Sequence, residues 1–233
     1  MATAKDRQSL AVWEEFHKSL LRGVEVDNSL TRQDIERQRA QLERDPIEWI
    51  KFFFPAYAKY EFAPFHIRAI RRVIANDEWY EVLSWSRELA KSTVAMFILM
   101  FLTLTRRKRF VALASATIDS AKRLLLPFKI NFESNPRIRQ FYGEQTTIGQ
   151  WTDSEFSCRC GAKFIALGAG SAPRGMRNEA IRPDILYFDD YDTDEDCRNP
   201  VTLDKKWDWA EHALYPTRSC LLYTSDAADE RSS

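Results

Sequence analysis

Lys91 and Ser92 stand at a change of pattern. A strand-like run, Tyr80–Trp85, leads into residues 86–93, Ser-Arg-Glu-Leu-Ala-Lys-Ser-Thr. A long apolar run, Val94–Leu104, leads out, with the spacing of a buried helix. A Lys-Ser pair at a strand-to-helix turn suits a phosphate-binding loop. The helix start offers backbone N–H groups and a positive dipole end to an anion. Lys91 would reach the terminal phosphates, and Ser92 would supply an oxygen to Mg²⁺. The loop departs from G-x-x-x-x-G-K-[ST], because Trp85 and Ala90 occupy the two glycine positions. The alternative is a helix start that merely contains Lys-Ser.

A second constellation lies far downstream. Residues 185–188, Ile-Leu-Tyr-Phe, read as a strand buried on both faces, as in a parallel sheet. Asp189 and Asp190 follow at its C-terminal end, the edge where open α/β sheets bind ligands. One carboxylate there can hold Mg²⁺ partly through water. Its neighbour can orient or deprotonate a water nucleophile. The alternative is a strand running into an acidic surface loop, since Asp192, Asp194, Glu195 and Asp196 come next. Arg109–Ala116 reads as a further strand between the two constellations.

The elements that must position these residues follow from the rest of the chain. Residues 5–45 read as a helical arm, with Thr31 and Asp34 as a helix-starting cap and Pro46 as a break. Trp49, Phe52 and Phe53 recur at helical spacing. Phe62-Ala-Pro-Phe-His66 precedes a helix carrying Ile67, Ile70 and Ile74 on one side. That aromatic segment would either sandwich a purine base or pack as core. Arg106–Arg109 suits a helix C-terminus, with a DNA-phosphate contact as the alternative. Ala121, Leu124, Leu125 and Phe128 mark the inner face of another helix. Residues 151–168 suggest a β-hairpin, and Cys158-Arg-Cys160 before Gly161 reads as its turn and not as a zinc knuckle. Gly168–Arg177 reads as a flexible loop, in which an arginine would stabilise a transferring phosphoryl group. Residues 200–214 read as an amphipathic helix with Trp207 and Trp209.

Composition narrows the class. The chain has 233 residues, 45% hydrophobic and 29% charged, with zero formal net charge. That is a globular composition with room for one large domain. Any nucleic-acid contact must be a local patch. The longest apolar run is too short to span a bilayer, and the N-terminus is polar, so a cytosolic protein is expected, neither secreted nor transmembrane. From Ser219 the pattern breaks abruptly. That segment resembles the translated read-through of a sequencing adapter, so residues 219–233 are expected to be a non-native tail and the natural chain to continue past Arg218.

Five segments in this order resemble the ATPase domain of the large terminase subunit of tailed bacteriophages. They are Phe62–His66, Arg87–Thr93, Ala114–Thr117, Arg174-Gly175 and Ile185–Asp190. The resemblance implies an α/β, RecA-like P-loop NTPase core with a mainly parallel sheet over residues 46–218, preceded by a helical arm over 1–45. It implies ATP and Mg²⁺ as cofactors, with Ser86, Arg87, Glu88, Leu89, Ala90, Lys91, Ser92 and Thr93 around the phosphates. Phe62, Phe65 and His66 would lie on the adenine side. Ser92 and Asp189 would hold the metal, Asp190 would activate water, and Arg87 would face the γ-phosphate. Arg174 or Arg177 would be the arginine finger. Asp190 stands where many family members have glutamate, so Asp192 or Glu195 is expected to share its role. The implied partners are double-stranded DNA, a portal protein and procapsid, a small terminase subunit and further copies in a ring, in the host cytoplasm. The family's nuclease domain would lie beyond this chain. The competing readings are another P-loop motor of helicase-like type and a catalytically silent nucleotide-binding scaffold.

Overall fold

The computed structural model describes residues 14–15, 18–19, 22–57, 61–86, 88–171, 181–193 and 195–217. They gather into two compact units. The first comprises the described residues up to Arg107, with Leu126–Ile148 and Cys158–Cys160. The second comprises Lys108–Leu125, Gly149–Ser157 and the described residues from Gly161 onward. Among the described residues no helix is long and apolar enough to cross a membrane.

In the first unit, helix α1 (Arg32–Leu42) starts at the expected cap. The Thr31 hydroxyl accepts from Asp34 N, and the Asp34 carboxylate accepts from Thr31 N, closing a capping box. The helical arm expected over 5–45 is interrupted before α1. Gly23 takes φ +76°, and Ser29 donates from both N and Oγ to the Asp27 carboxylate, so a turn precedes α1. Helix α2 (Pro46–Phe53) begins with Pro46 inside the first turn and Asp45 accepting from Ile47 N. Its Trp49 and Phe53 are fully buried. Trp49 meets Phe101 edge-on at 5.2 Å between centroids and donates from Nε1 to the Tyr142 hydroxyl at 2.8 Å. Tyr142 in turn donates to Glu43 Oε1, so the buried indole N–H and phenol are both satisfied. Helix α3 (Pro64–Ala75) buries Ala69, Ile70 and Ile74.

Helix α4 (Lys91–Leu104) buries every residue from Val94 to Leu104. A helix apolar all round has no solvent face to offer, so it becomes the centre of its unit. The strand expected at Tyr80–Trp85 does not form. The segment joins no sheet, and Tyr80 and Val82 are 80% and 67% exposed. Its period-2 pattern survives in the exposure, with 80, 82, 84 and 86 outward and 81, 83 and 85 half-buried. A strand pattern states which faces alternate; a ladder also needs a partner, which sequence periodicity does not specify.

The second unit is built on strands β1 (Phe110–Ser115), β2 (Glu155–Ser157), β3 (Lys163–Gly168) and β4 (Ile185–Phe188). The sheet is open and mostly parallel, ordered β2-β3-β1-β4. β1 pairs in parallel with β3 on one side and β4 on the other, while β2 and β3 form the expected antiparallel hairpin. Cys158 and Cys160 occupy its turn, as expected. β1 is buried at all six positions. Helix α5 (Ile118–Ser134) follows it in the chain; its residues from Leu126 onward, and all of α6 (Pro136–Tyr142), belong to the first unit. Gly168 permits a close approach: a Cβ there would lie 2.6 Å from Ile118 N. Ala112, Ala114, Leu167 and Leu214 form the core, with Leu186, Phe188 and Trp209 packed against it.

Two expectations need correction. β4 lies at one end of the strand order and is half-buried at every position, so neither face is fully buried as expected. A continuous apolar run marks contact with a core on both faces, and the layers packed there decide how complete the burial is. Residues 200–214 also do not form one regular helix. Helix α7 (Pro200–Asp208) passes into a π-helical turn, Trp209–Leu214. Trp207 is exposed while Trp209 donates from Nε1 to Ser171 O, since residues two apart on a helix point in different directions.

Candidate functional site

The residues expected to form a phosphate loop lie in the first unit, between an extended entry and the start of α4. Ser86 O accepts from Leu89 N at 3.4 Å, closing a turn, and Ala90 O accepts from Val94 N at 2.8 Å, opening the helix. Between these bonds the backbone is left-handed twice, at Glu88 (φ +67°) and Ala90 (φ +55°, ψ +30°). Left-handed backbone is the conformation that glycine adopts without penalty and that alanine adopts at about 1–2 kcal/mol. Ala90 is the second expected glycine position, so the loop keeps a glycine-type conformation there without the glycine. Ala90, at the N-cap, has no side-chain acceptor of its own. A helix start carries backbone N–H groups of the kind that bind anions. Ser86, Glu88, Leu89, Ala90 and Ser92 are exposed, and Lys91 and Thr93 half-buried.

The aromatic segment lies in the same unit. Phe62, Phe65 and His66 are half-buried, with Phe65 4.2 Å from the His66 ring. Trp85, which sequence reasoning did not assign to the site, lies 5.0 Å from Phe65 and 5.2 Å from His66. His66 Nε2 lies 3.0 Å from Leu89 O. The structure thus joins the aromatic segment to the turn before α4 through a contact between residues 23 positions apart. Periodicity carries no signal for such a pair.

The aspartates lie in the second unit. Asp189 follows β4 directly, is only 7% exposed, and accepts from the Tyr187 hydroxyl at 2.8 Å. Asp189 N donates to Ala114 O, continuing the β1 ladder by one residue. Asp190 is exposed and left-handed (φ +45°). Its carbonyl accepts from Ala116 N at 3.1 Å and from Ser115 Oγ at 3.3 Å. The two carboxylates therefore part in character, one buried and oriented, the other in solvent.

The acidic stretch beyond them is partly engaged. Lys206 Nζ lies 2.7 Å from Asp196 Oδ2 and 3.6 Å from Asp192 Oδ1, and it also donates to Tyr191 O. With Thr193 donating as well, the Lys206 ammonium holds the Asp196 carboxyl at about 2. Glu195 is exposed. A cleft of about 330 Å³ opens at the C-terminal ends of β1 and β3, lined by Thr117, Gly170, Thr193, Asp196 and Lys205 among others.

Among the described residues no group of three or more His, Cys, Asp or Glu side chains forms a metal site. Asp189, expected as one Mg²⁺ ligand, lies in the second unit, and Ser92, expected as another, lies in the first. Hard oxygen ligands supplemented by water suit that ion. Arg87, Arg174, Arg177 and the tail 219–233 lie outside the described residues. In comparisons with known proteins, no family model, curated protein or solved structure matches this chain.

Proposed function

We propose that this chain is an ATP-hydrolysing motor domain with a RecA-like P-loop core, of the kind that drives double-stranded DNA into a viral procapsid. The observation that carries the proposal is the left-handed backbone at Ala90, directly before the buried helix that begins at Lys91. A loop that pays for this conformation without glycine is best explained by the N–H groups it aims, and phosphate is the ligand those groups suit. The buried, oriented Asp189 at the end of a parallel strand supports the same reading.

In this reading Lys91 and the helix-start N–H groups bind the β- and γ-phosphates, and Ser92 and Asp189 hold Mg²⁺. Bound Mg²⁺ would neutralise phosphate charge. Asp190, exposed beside Asp189, orients the attacking water. Arg87 faces the γ-phosphate, and Arg174 or Arg177 serves as the finger. Portal, procapsid, small terminase subunit and a ring of like copies are the proposed partners, in the host cytoplasm.

Thermal unfolding with and without Mg-ATP tests the proposal, with Lys91→Ala as comparison. A ligand at about 100 times its Kd stabilises the native state by about 2.7 kcal/mol. A rise in Tm of several degrees in the parent and none in the variant is the expected outcome. A cooperative transition that ignores Mg-ATP in both would overturn it.

A further inference from the structure

The phosphate loop is held by a residue outside it. Ala63 N donates to His66 Nδ1 at 3.3 Å, so that nitrogen carries the lone pair. The ring hydrogen then sits on Nε2, which donates to Leu89 O at 3.0 Å. Both ring nitrogens are thus committed, one to the start of α3 and one to the loop. Ala63 has no side-chain acceptor to complete a reciprocal cap, so His66 supplies the half that reaches back to the N-cap amide.

Leu89 is the residue between the two left-handed positions, Glu88 and Ala90. Its side chain is exposed, so packing does not anchor it. Neither flanking residue is glycine, and an unconstrained loop of this sequence would leave the left-handed region. The Phe65 ring at 4.2 Å and Trp85 at 5.2 Å fix the imidazole in turn.

We infer that His66 is a positioning residue: by bonding the Leu89 carbonyl it holds residues 88–90 in the conformation that aims the α4 amides, so the loop is preorganised before nucleotide arrives. The inference rests on the proposed nucleotide reading for its consequence, and on the ligand-free geometry for its substance. A base docking against Phe62 and Phe65 would press on the same imidazole that holds the phosphate loop, which couples the two halves of the ligand through one side chain.

The test is amide hydrogen exchange on the full chain without ligand, read at Leu89 and Val94, whose N–H groups close the turn and open the helix. His66→Phe keeps a ring and removes the donor; His66→Gln restores a donor. Exchange at both amides is expected to rise about five- to tenfold in His66→Phe, the factor one net hydrogen bond carries, and to return most of the way in His66→Gln. Mg-ATP Kd is expected to rise by a similar factor in His66→Phe. Adding Ala90→Gly, which removes the left-handed penalty, is expected to recover part of it. Unchanged exchange in a His66→Phe protein of parental Tm would overturn the inference, as would exchange in His66→Gln no slower than in His66→Phe. If the parent chain binds no Mg-ATP while exchange still rises in His66→Phe, the nucleotide reading fails and the latch stands.

Discussion

The Tyr187 hydroxyl donates to Asp189 Oδ2 across 2.8 Å, joining a residue of β4 to the residue that follows the strand's end. An exposed strand-end aspartate has several rotamers, and a buried one with a donor on one oxygen has far fewer. Tyr187→Phe removes the donor and keeps the ring. If Asp189 holds Mg²⁺, the variant should lose about tenfold in Mg²⁺ affinity or turnover, the range seen for partners that orient metal-binding carboxylates. Steady-state ATP hydrolysis titrated with Mg²⁺ reads this, alongside a Tm within a few degrees of the parent.

Asp184 makes a structural bond of a similar kind. Its carboxylate accepts from Arg109 N at 2.7 Å and Phe110 N at 2.8 Å, tying the entry of β4 to the entry of β1. Burial pushes its carboxyl up, although both backbone donors and the Lys108 charge pull the other way. Asp184→Ala strands two backbone donors and should destabilise the chain by about 1–3 kcal/mol in denaturant unfolding. Asp184→Asn keeps an acceptor and should lose less.

The Lys206–Asp196 pair has a pH signature. A carboxylate held at about 2 contributes stability that is fully present above the unfolded value of about 3.9 and is lost as pH falls through about 2. Tm should therefore drop between about pH 4 and pH 2, and Lys206→Met, which removes the first cause of the shift, should flatten that drop. Both profiles come from thermal melts at constant ionic strength. An unchanged slope in the variant would place the acid sensitivity in other carboxylates.

The segment before residues 86–93 carries a different liability. Trp79, Tyr80 and Val82 are exposed in an extended stretch outside the sheet. Unpaired, apolar, strand-like backbone is a template for pairing between copies. Val82→Lys should lower the rate of self-association seen by light scattering, with little change in Tm. Equal association in the variant would move the liability elsewhere on the surface.

Local chemistry made much of this protein legible from its residues. Thr31 and Asp34 announce a helix start because a hydroxyl and a carboxylate three apart satisfy each other's amides. Val94–Leu104 announces a buried helix because no face of it tolerates water. The turn at Cys158–Gly161 and the strands on either side of it follow from short-range pattern alone. Lys91 at a helix start and Asp189 after a strand were visible for the same reason, since each depends on its immediate neighbours.

Long-range pairing was decided only in three dimensions. Tyr80–Trp85 has the alternation of a strand and β4 the continuous apolar run of a covered one, yet the first is unpaired and the second lies at an edge. Strand identity depends on which other strand arrives, and that partner is not encoded within either segment. The contacts of His66 with Leu89 and of Lys206 with Asp196 likewise join residues whose spacing follows no helical or strand period. Sequence determines which groups can donate, accept or bury; the tertiary fold alone determines which of them meet, because a hydrogen bond is satisfied by distance in space and not along the chain.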